Sequence, residues 1–275
     1  LSIRAQNSFN PLGEWRGVFP LYNGEEIPFN FSVRADSTGN YIVYFINGPE
    51  EYFGGQLMQV KDSLQIWINQ FDRLITIGIN NNKILKGVWR RQTNGEDAFP
   101  ILVEQHNTKR FIEQKQTVSQ NISGKYDVVF TNDSGKQVNA IGLFNQEGNN
   151  GGVTFLRPSG DSRYSFGSIH GNEFRFSLFI GYSPLLFKGT IEADGSLKGV
   201  QQGLKTLQVI RAYKNDAAVV ADQSTLTQHK KKIIHSFKFG KMKFSNKDFK
   251  NFEFFFLKLK KKFHQYLFCL LYTSR

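Results

Sequence analysis

The stretches Leu64-Gln65-Ile66-Trp67-Ile68 and Ile75-Thr76-Ile77-Gly78-Ile79 decide the fold class of this chain. In each, every second residue is a large aliphatic side chain, which is the period of a strand with one buried face. Asn80-Asn81-Asn82, which follows the second stretch, is a typical turn sequence. A later stretch, residues 174–178, alternates in the same way through Phe174, Phe176 and Leu178. The pattern predicts antiparallel strands and not helices.

Turn signals recur along the chain about every 8–12 residues, which is the spacing of antiparallel all-β folds. Asp194-Gly195 is one example, and its glycine tolerates the positive φ that tight hairpins require. The composition agrees, because 25 glycines and 27 phenylalanines accompany only 7 prolines. We therefore expect an all-β protein.

The chain also repeats itself. Gly13-Glu14-Trp15-Arg16-Gly17-Val18-Phe19 matches residues 124–130 at an offset of 111, and Lys83-Ile84-Leu85-Lys86-Gly87-Val88-Trp89 matches residues 195–201 at an offset of 112. A period this long indicates domain duplication; convergence of short hairpin motifs is the alternative. We predict two tandem antiparallel meanders of about eight strands, each closed into a small calycin-like β-barrel. Packed β-sheets are the alternative architecture.

The predicted organisation has five parts. Residues 1–12 form a leader, which the small residues before Gln6 allow to be a signal-peptide remnant. The first β repeat covers residues 13–105, and the second covers residues 124–215. A linker, residues 106–123, joins them. Residues 216–275 form a second linker and a basic tail rich in Lys and Phe.

The net charge of +12 belongs almost entirely to that tail. Residues 224–275 hold 12 Lys and Arg275 against Asp248 and Glu253, a net charge of +11, which leaves the rest near neutral. The homopolymer-like runs and the terminal residues 269–274, which resemble a translated sequencing adapter, favour a non-native segment. Binding to acidic membranes or single-stranded nucleic acid, and a packed helix, are the alternatives. We expect no nucleic-acid partner and no membrane binding by the tail.

The residues that redox and hydrolytic chemistry need are scarce. Cys269 is the one cysteine, so residues 1–268 can form no disulfide, Cys-x-x-Cys pair or cysteine zinc site. The two histidines of residues 1–228, His106 and His170, lack the spacing of a metal site. The sequence contains no Gly-x-Ser-x-Gly nucleophile elbow. The sequence therefore predicts no catalytic, cofactor-binding or metal-binding residues, and a chain that is not itself an enzyme.

Some polar and aromatic pairs have structural interpretations. The neighbours Glu25 and Glu26 point to opposite faces of a strand, so they form no acid/base pair, and we expect a solvated hairpin end. Trp15 and its counterpart Tyr126 follow a glycine at the start of each repeat. Gly-x-Trp closes the base of calycin-type ligand barrels, and we interpret both aromatics as core residues.

Five segments of the chain carry a resemblance to a known family: residues 13–17, 24–31, 142–149, 154–164 and 184–189. Together they resemble the region that precedes the thioredoxin domain in TlpA-like thiol-disulfide oxidoreductases of Bacteroidetes-type bacteria. The likeness covers about residues 13–227 and ends where the family's linker to the thioredoxin domain begins. Its motifs are turns and strands without catalytic residues.

The resemblance implies a periplasmic or cell-envelope protein. In that family a Cys-x-x-Cys motif in the thioredoxin domain does the redox chemistry, and that motif has no matching position here. The expected function is thus a non-catalytic N-terminal β module whose thioredoxin domain is missing from this chain, with a positioning or client-interaction role. Its expected partners are a downstream thioredoxin domain and its protein clients. A calycin-like carrier of small ligands is the alternative function.

Overall fold

The computed structural model describes residues 9–111, 118 and 120–220. The signal-remnant hypothesis for residues 1–6, part of the linker and the basic tail from residue 221 onward lie outside the described residues. The described residues belong to one compact unit. They contain no helix long and apolar enough to cross a membrane.

The first barrel is an eight-stranded antiparallel meander in which each strand pairs with the next. It closes where the first strand pairs with the eighth, from Trp15 opposite Gln105 to Val18 opposite Leu102. A 3-10 turn, Asn69–Phe71, separates the fifth and sixth strands. The strands are β1 (Gly13–Pro20), β2 (Glu26–Ala35), β3 (Tyr41–Asn47), β4 (Glu50–Val60), β5 (Ser63–Ile68), β6 (Arg73–Gly78), β7 (Ile84–Arg91) and β8 (Phe99–Gln105).

The second barrel repeats this topology. It closes where its first strand pairs with its last, with Tyr126 opposite Lys214. The predicted pair of barrels is confirmed, and the packed sheets are not found. The strands are β9 (Gly124–Asn132), β10 (Gln137–Glu147), β11 (Asn150–Leu156), β12 (Ser165–His170), β13 (Glu173–Leu178), β14 (Leu185–Ile191), β15 (Leu197–Gln202) and β16 (Leu207–Lys214).

The matching segments of the sequence occupy equivalent strands of the two barrels. Gly13 begins β1 and Gly124 begins β9, with φ values of +112° and +134°. Residues other than glycine rarely adopt this backbone, which explains the shared glycine. Leu85 in β7 and Leu197 in β15 are both buried in their barrels. The repeat in the sequence is thus a repeat of barrel strands.

Strand alternation places the apolar side chains inside. In β5, Leu64, Ile66 and Ile68 are buried, and the residues between them are partly exposed. In the first barrel, packed aromatic rings fill the interior: Trp15 stacks on Phe31 with ring centroids 5.5 Å apart. Burial of this much apolar surface is the main force that holds each barrel together.

The second barrel has its own core, made of buried aromatic and aliphatic side chains. Tyr126, the counterpart of Trp15, is buried and meets Phe144 edge to face at 4.9 Å. Phe155 contacts both Phe130 and Phe187 at 5.1 Å. Both predicted core aromatics, Trp15 and Tyr126, therefore lie in the cores.

Candidate functional site

A buried network of hydrogen bonds lies at the junction between the two barrels. Arg110, from the linker, is its centre, and its guanidinium is buried. Nε donates to Asn30 Oδ1 at 3.1 Å, and Nη1 donates to Asn47 Oδ1 at 3.2 Å. Nη1 also donates to the carbonyl and the hydroxyl oxygen of Ser177, each at 3.0 Å, and Nη2 donates to the Ile46 carbonyl. One side chain thus binds β2, β3 and β13 together.

The hydrogen-bond partners of the Arg110 guanidinium among the described residues are all neutral. Burial lowers the pKa of Arg110 to about 9, and the nearby charge of Arg16 contributes in the same direction. Even so, the group is protonated at neutral pH. The buried charge is balanced by carbonyl, amide and hydroxyl dipoles, and the loss of any one would leave it poorly solvated.

Phe179, just after β13 of the second barrel, inserts its ring into the core of the first barrel. Its centroid lies 4.6 Å from that of Phe29, 4.8 Å from Phe45 and 5.1 Å from Phe19. The Trp89 indole Nε1 donates to the carbonyl of Gly181 in the same loop at 3.1 Å. This loop, residues 179–184, therefore closes one part of the first barrel.

An ion triad joins the barrels beside the junction. Glu25, in the turn before β2, accepts from Arg175 Nη2 at 2.6 Å and from Lys188 Nζ at 2.5 Å. The hydrogen bond from Lys188 and the charge of Arg175 hold the pKa of Glu25 below its usual value. The expectation of a solvated hairpin end is wrong for Glu25, because two cations of the second barrel pair with it and its side chain is only 26% exposed. Glu26 is exposed and pairs with Arg16 at 3.3 Å.

The two histidines lie in different barrels and serve as local structural residues. His106 follows β8, has a positive φ of 59°, and donates its backbone N–H to the Glu14 carbonyl at 2.7 Å. His170 ends β12, with its Nδ1 3.3 Å from Asn149 Nδ2. Among residues 9–111, 118 and 120–220, no group of three or more His, Cys, Asp or Glu side chains could hold a metal ion.

Sequence reasoning missed the junction residues. Residues 106–123 were predicted only as a linker between the repeats, yet Arg110 and Ile122 in it are buried. Residues 9–12, predicted as part of a leader, contribute to the closure of the first barrel: Trp15 Nε1 donates to the Pro11 carbonyl at 2.9 Å, and Gln105 Nε2 donates to the Leu12 carbonyl, also at 2.9 Å. A single arginine in a polar stretch carries no sequence signal that distinguishes burial from exposure.

No protein-family model and no curated protein matches this sequence. Among solved structures, a protein assigned provisionally to the outer membrane of Bacteroides fragilis NCTC 9343 aligns at 9% identity over 74% of this chain and 98% of its own, with a TM-score of 0.24. A DUF3598 family protein of unknown function from Nostoc punctiforme PCC 73102 aligns at 9% identity over 74% and 96%, with a TM-score of 0.23. The Bacillus subtilis inhibitor of motility MotI/DgrA aligns at 9% identity over 84% and 100%, with a TM-score of 0.16. Similarity at this level identifies neither a family nor a function for the chain.

Proposed function

We propose that the two barrels form a non-catalytic module of an envelope thiol-disulfide oxidoreductase, which positions a downstream thioredoxin domain or engages its protein clients. The observation that carries this proposal is the locked junction. Relative motion is the default for two domains in one chain unless their interface is large and well packed. Here Arg110 and Phe179 tie the barrels through buried contacts, so the pair suits a rigid spacer.

The residue types in the two barrels support a non-catalytic role. The barrels contain no cysteine, and their two histidines make local structural contacts. The periplasmic or envelope location and the thioredoxin partner come from the resemblance of residues 13–227 to the TlpA-like family.

The alternative role, a calycin-like carrier, needs an open barrel interior. In the first barrel that space is occupied by side chains, with Trp15 against Phe31 and Phe19 against Phe29 at ring-centroid distances of 5.5 and 5.3 Å. The inserted Phe179 ring occupies further space. The interior of an eight-stranded barrel is either filled by its own side chains or open to one small ligand, and in the first barrel side chains fill it. The packing favours the spacer role over the carrier role.

Sequencing of the source DNA beyond the Thr227 codon is the direct test. The proposal expects an open frame that encodes a thioredoxin domain with Cys-x-x-Cys soon after this point. If none of the three forward frames encodes one, the oxidoreductase assignment fails. A native mass spectrum of the full chain tests the carrier role: a co-purified small-molecule adduct on the folded protein would favour it over the spacer role.

A further inference from the structure

A cleft between the barrels, which we name the Arg73 cleft, lies apart from the Arg110 network. It has a volume of about 190 Å³. This is smaller than a pocket for a drug-sized ligand, so it suits a small molecule. The first barrel contributes Arg73, Trp89, Asp97 and Phe99, and the second contributes residues 182–185 and 203–206.

Arg73 is a buried guanidinium without a hydrogen-bond acceptor among the described residues. The residue is 6% exposed, and its Nε and Nη1 are enclosed with no partner. Its Nη2 lies 3.8 Å from Asp97 Oδ2, which is too far for a hydrogen bond. Buried arginines are normally hydrogen-bonded, because an unpaired buried donor costs about 1–3 kcal/mol.

The nearest carboxylate already has other partners. Asp97 Oδ1 accepts from Lys205 Nζ at 3.0 Å, and Asp97 Oδ2 accepts from Arg91 Nε at 3.0 Å. Three cations therefore surround one carboxylate. Arg73 is the cation that is left without a direct hydrogen bond to it.

Aromatic rings stabilise the faces of the Arg73 guanidinium but not its edge. Its Cζ lies 4.2 Å from the Trp89 ring centroid and 5.7 Å from that of Tyr182. Cation–π contacts act on the face of the planar group, whereas its N–H donors point outward in the plane. Because Nε and Nη1 are enclosed, a ligand in the cleft would reach the group through Nη2.

The other residues that line the cleft indicate the charge and polarity of a ligand that would fit it. Arg73 and Lys205 outnumber Asp97, so the lining carries one excess positive charge. The apolar surface comes from Phe99, Leu185 and other side chains of the lining. We propose that the Arg73 cleft binds a small organic carboxylate with a flat apolar body, its oxygen on Arg73 Nη2 and its body against the aromatic walls.

Benzoate titrated into the full ¹⁵N-labelled chain tests this site, with benzamide as its neutral counterpart. The readout is the indole N–H resonance of Trp89, which lines the cleft, while those of Trp15 and Trp67 serve as internal controls. We expect a saturable shift at Trp89 alone, with a Kd of about 1 mM for a ligand this small. Benzamide should bind at least tenfold more weakly. Equal shifts with both compounds, or no saturation with benzoate, would overturn the proposal.

Two variants assign the charge that the ligand recognises. Arg73→Met should weaken benzoate binding at least tenfold. Asp97→Asn should strengthen it several-fold, because the negative charge is removed and asparagine tolerates the left-handed backbone of this position, φ 49°. Arg34→Gln, at an exposed ion pair in the first barrel, is the control and should change nothing. If Arg73→Met does not fold, unchanged or weaker binding by Asp97→Asn still refutes the site.

Discussion

Asn47 and Phe179 form a reciprocal pair of hydrogen bonds across the two barrels. Asn47 Nδ2 donates to the Phe179 carbonyl at 3.1 Å, and the Phe179 N–H donates to Asn47 Oδ1 at 3.4 Å. The side-chain amide of the first barrel thus imitates the backbone of a neighbouring strand. It holds the Phe179 ring at the depth where it meets Phe29 and Phe45.

Phe179→Ala should destabilise the whole unit and not the second barrel alone. The ring fills space inside the first barrel, and a buried Phe→Ala change costs about 3–5 kcal/mol. Urea unfolding followed by Trp fluorescence measures the change in the free energy of unfolding. Tyr22→Ala, at a residue that is 91% exposed, is the matched control and should stay within about 0.5 kcal/mol of the parent. A Phe179→Ala variant as stable as this control would contradict the inserted-ring arrangement.

Arg110→Met should cost about 3 kcal/mol in the free energy of unfolding, because acceptors from both barrels lose their donor. Arg110→Lys keeps the charge but cannot reproduce the planar set of donors, so it should also be destabilised, by about 1 kcal/mol or more. Chemical denaturation of both variants provides the measurement. Unchanged stability of Arg110→Met would show that hydrophobic replacement compensates for the lost network.

Gly181→Ala and Gly160→Ala separate backbone strain from crowding at the junction. Both glycines have positive φ, +95° and +123°. A Cβ at position 181 would lie 2.8 Å from Ile68 Cγ2 in the other barrel, whereas one at position 160 meets nothing within 4 Å. The free energy of unfolding of both variants should fall by about 1 kcal/mol because of backbone strain. The free energy of unfolding of Gly181→Ala should fall by about a further 1–3 kcal/mol because of overpacking.

Thermal unfolding of the two glycine variants side by side measures that difference. Equal losses of Tm would mean that the loop of residues 179–184 can move away from the first barrel at little cost. Such a result would also weaken the proposal that the two barrels act as a rigid spacer.

The Glu25 triad should make stability depend on pH in the acidic range. The folded pKa of Glu25 lies below its usual value of 4.5, so its contribution is present above about pH 4.5. It is lost as the pH falls through the folded pKa. Glu25→Gln should therefore destabilise the chain by about 1 kcal/mol at pH 7, and the difference from the parent should shrink below pH 4.

Urea titrations at pH 7, 4.5 and 3 check this dependence. Glu173→Gln, at an exposed carboxylate on the neighbouring β13, is the control and should differ from the parent by the same small amount at each pH. A Glu25→Gln penalty that is constant from pH 7 to pH 3 would mean that the triad contributes through packing and not through charge.

Sequence alone was sufficient to predict the two barrels and their core aromatics. Alternation such as Leu64-Gln65-Ile66 reports which side of a strand is buried, and glycines such as Gly13 and Gly124 mark backbone that other residues avoid. These signals are local, so they can be read within a few residues. The repeat then showed that the same local pattern occurs twice.

Only the tertiary structure decided how the two barrels meet and where polar groups are buried between them. Phe179 follows Leu178 in a run of apolar residues. Its position after the alternating residues of β13 does not reveal that its ring packs in the core of the other barrel. Arg110 and Arg73 belong to the most exposed class of residues by type. Asn47 and Ser177 lie 63 and 67 residues from Arg110 in the chain, and Tyr182 lies 109 residues from Arg73. The burial of each arginine depends on such distant partners. A one-dimensional pattern reports the face of its own strand, whereas a junction is created by surfaces that meet only after each barrel has closed.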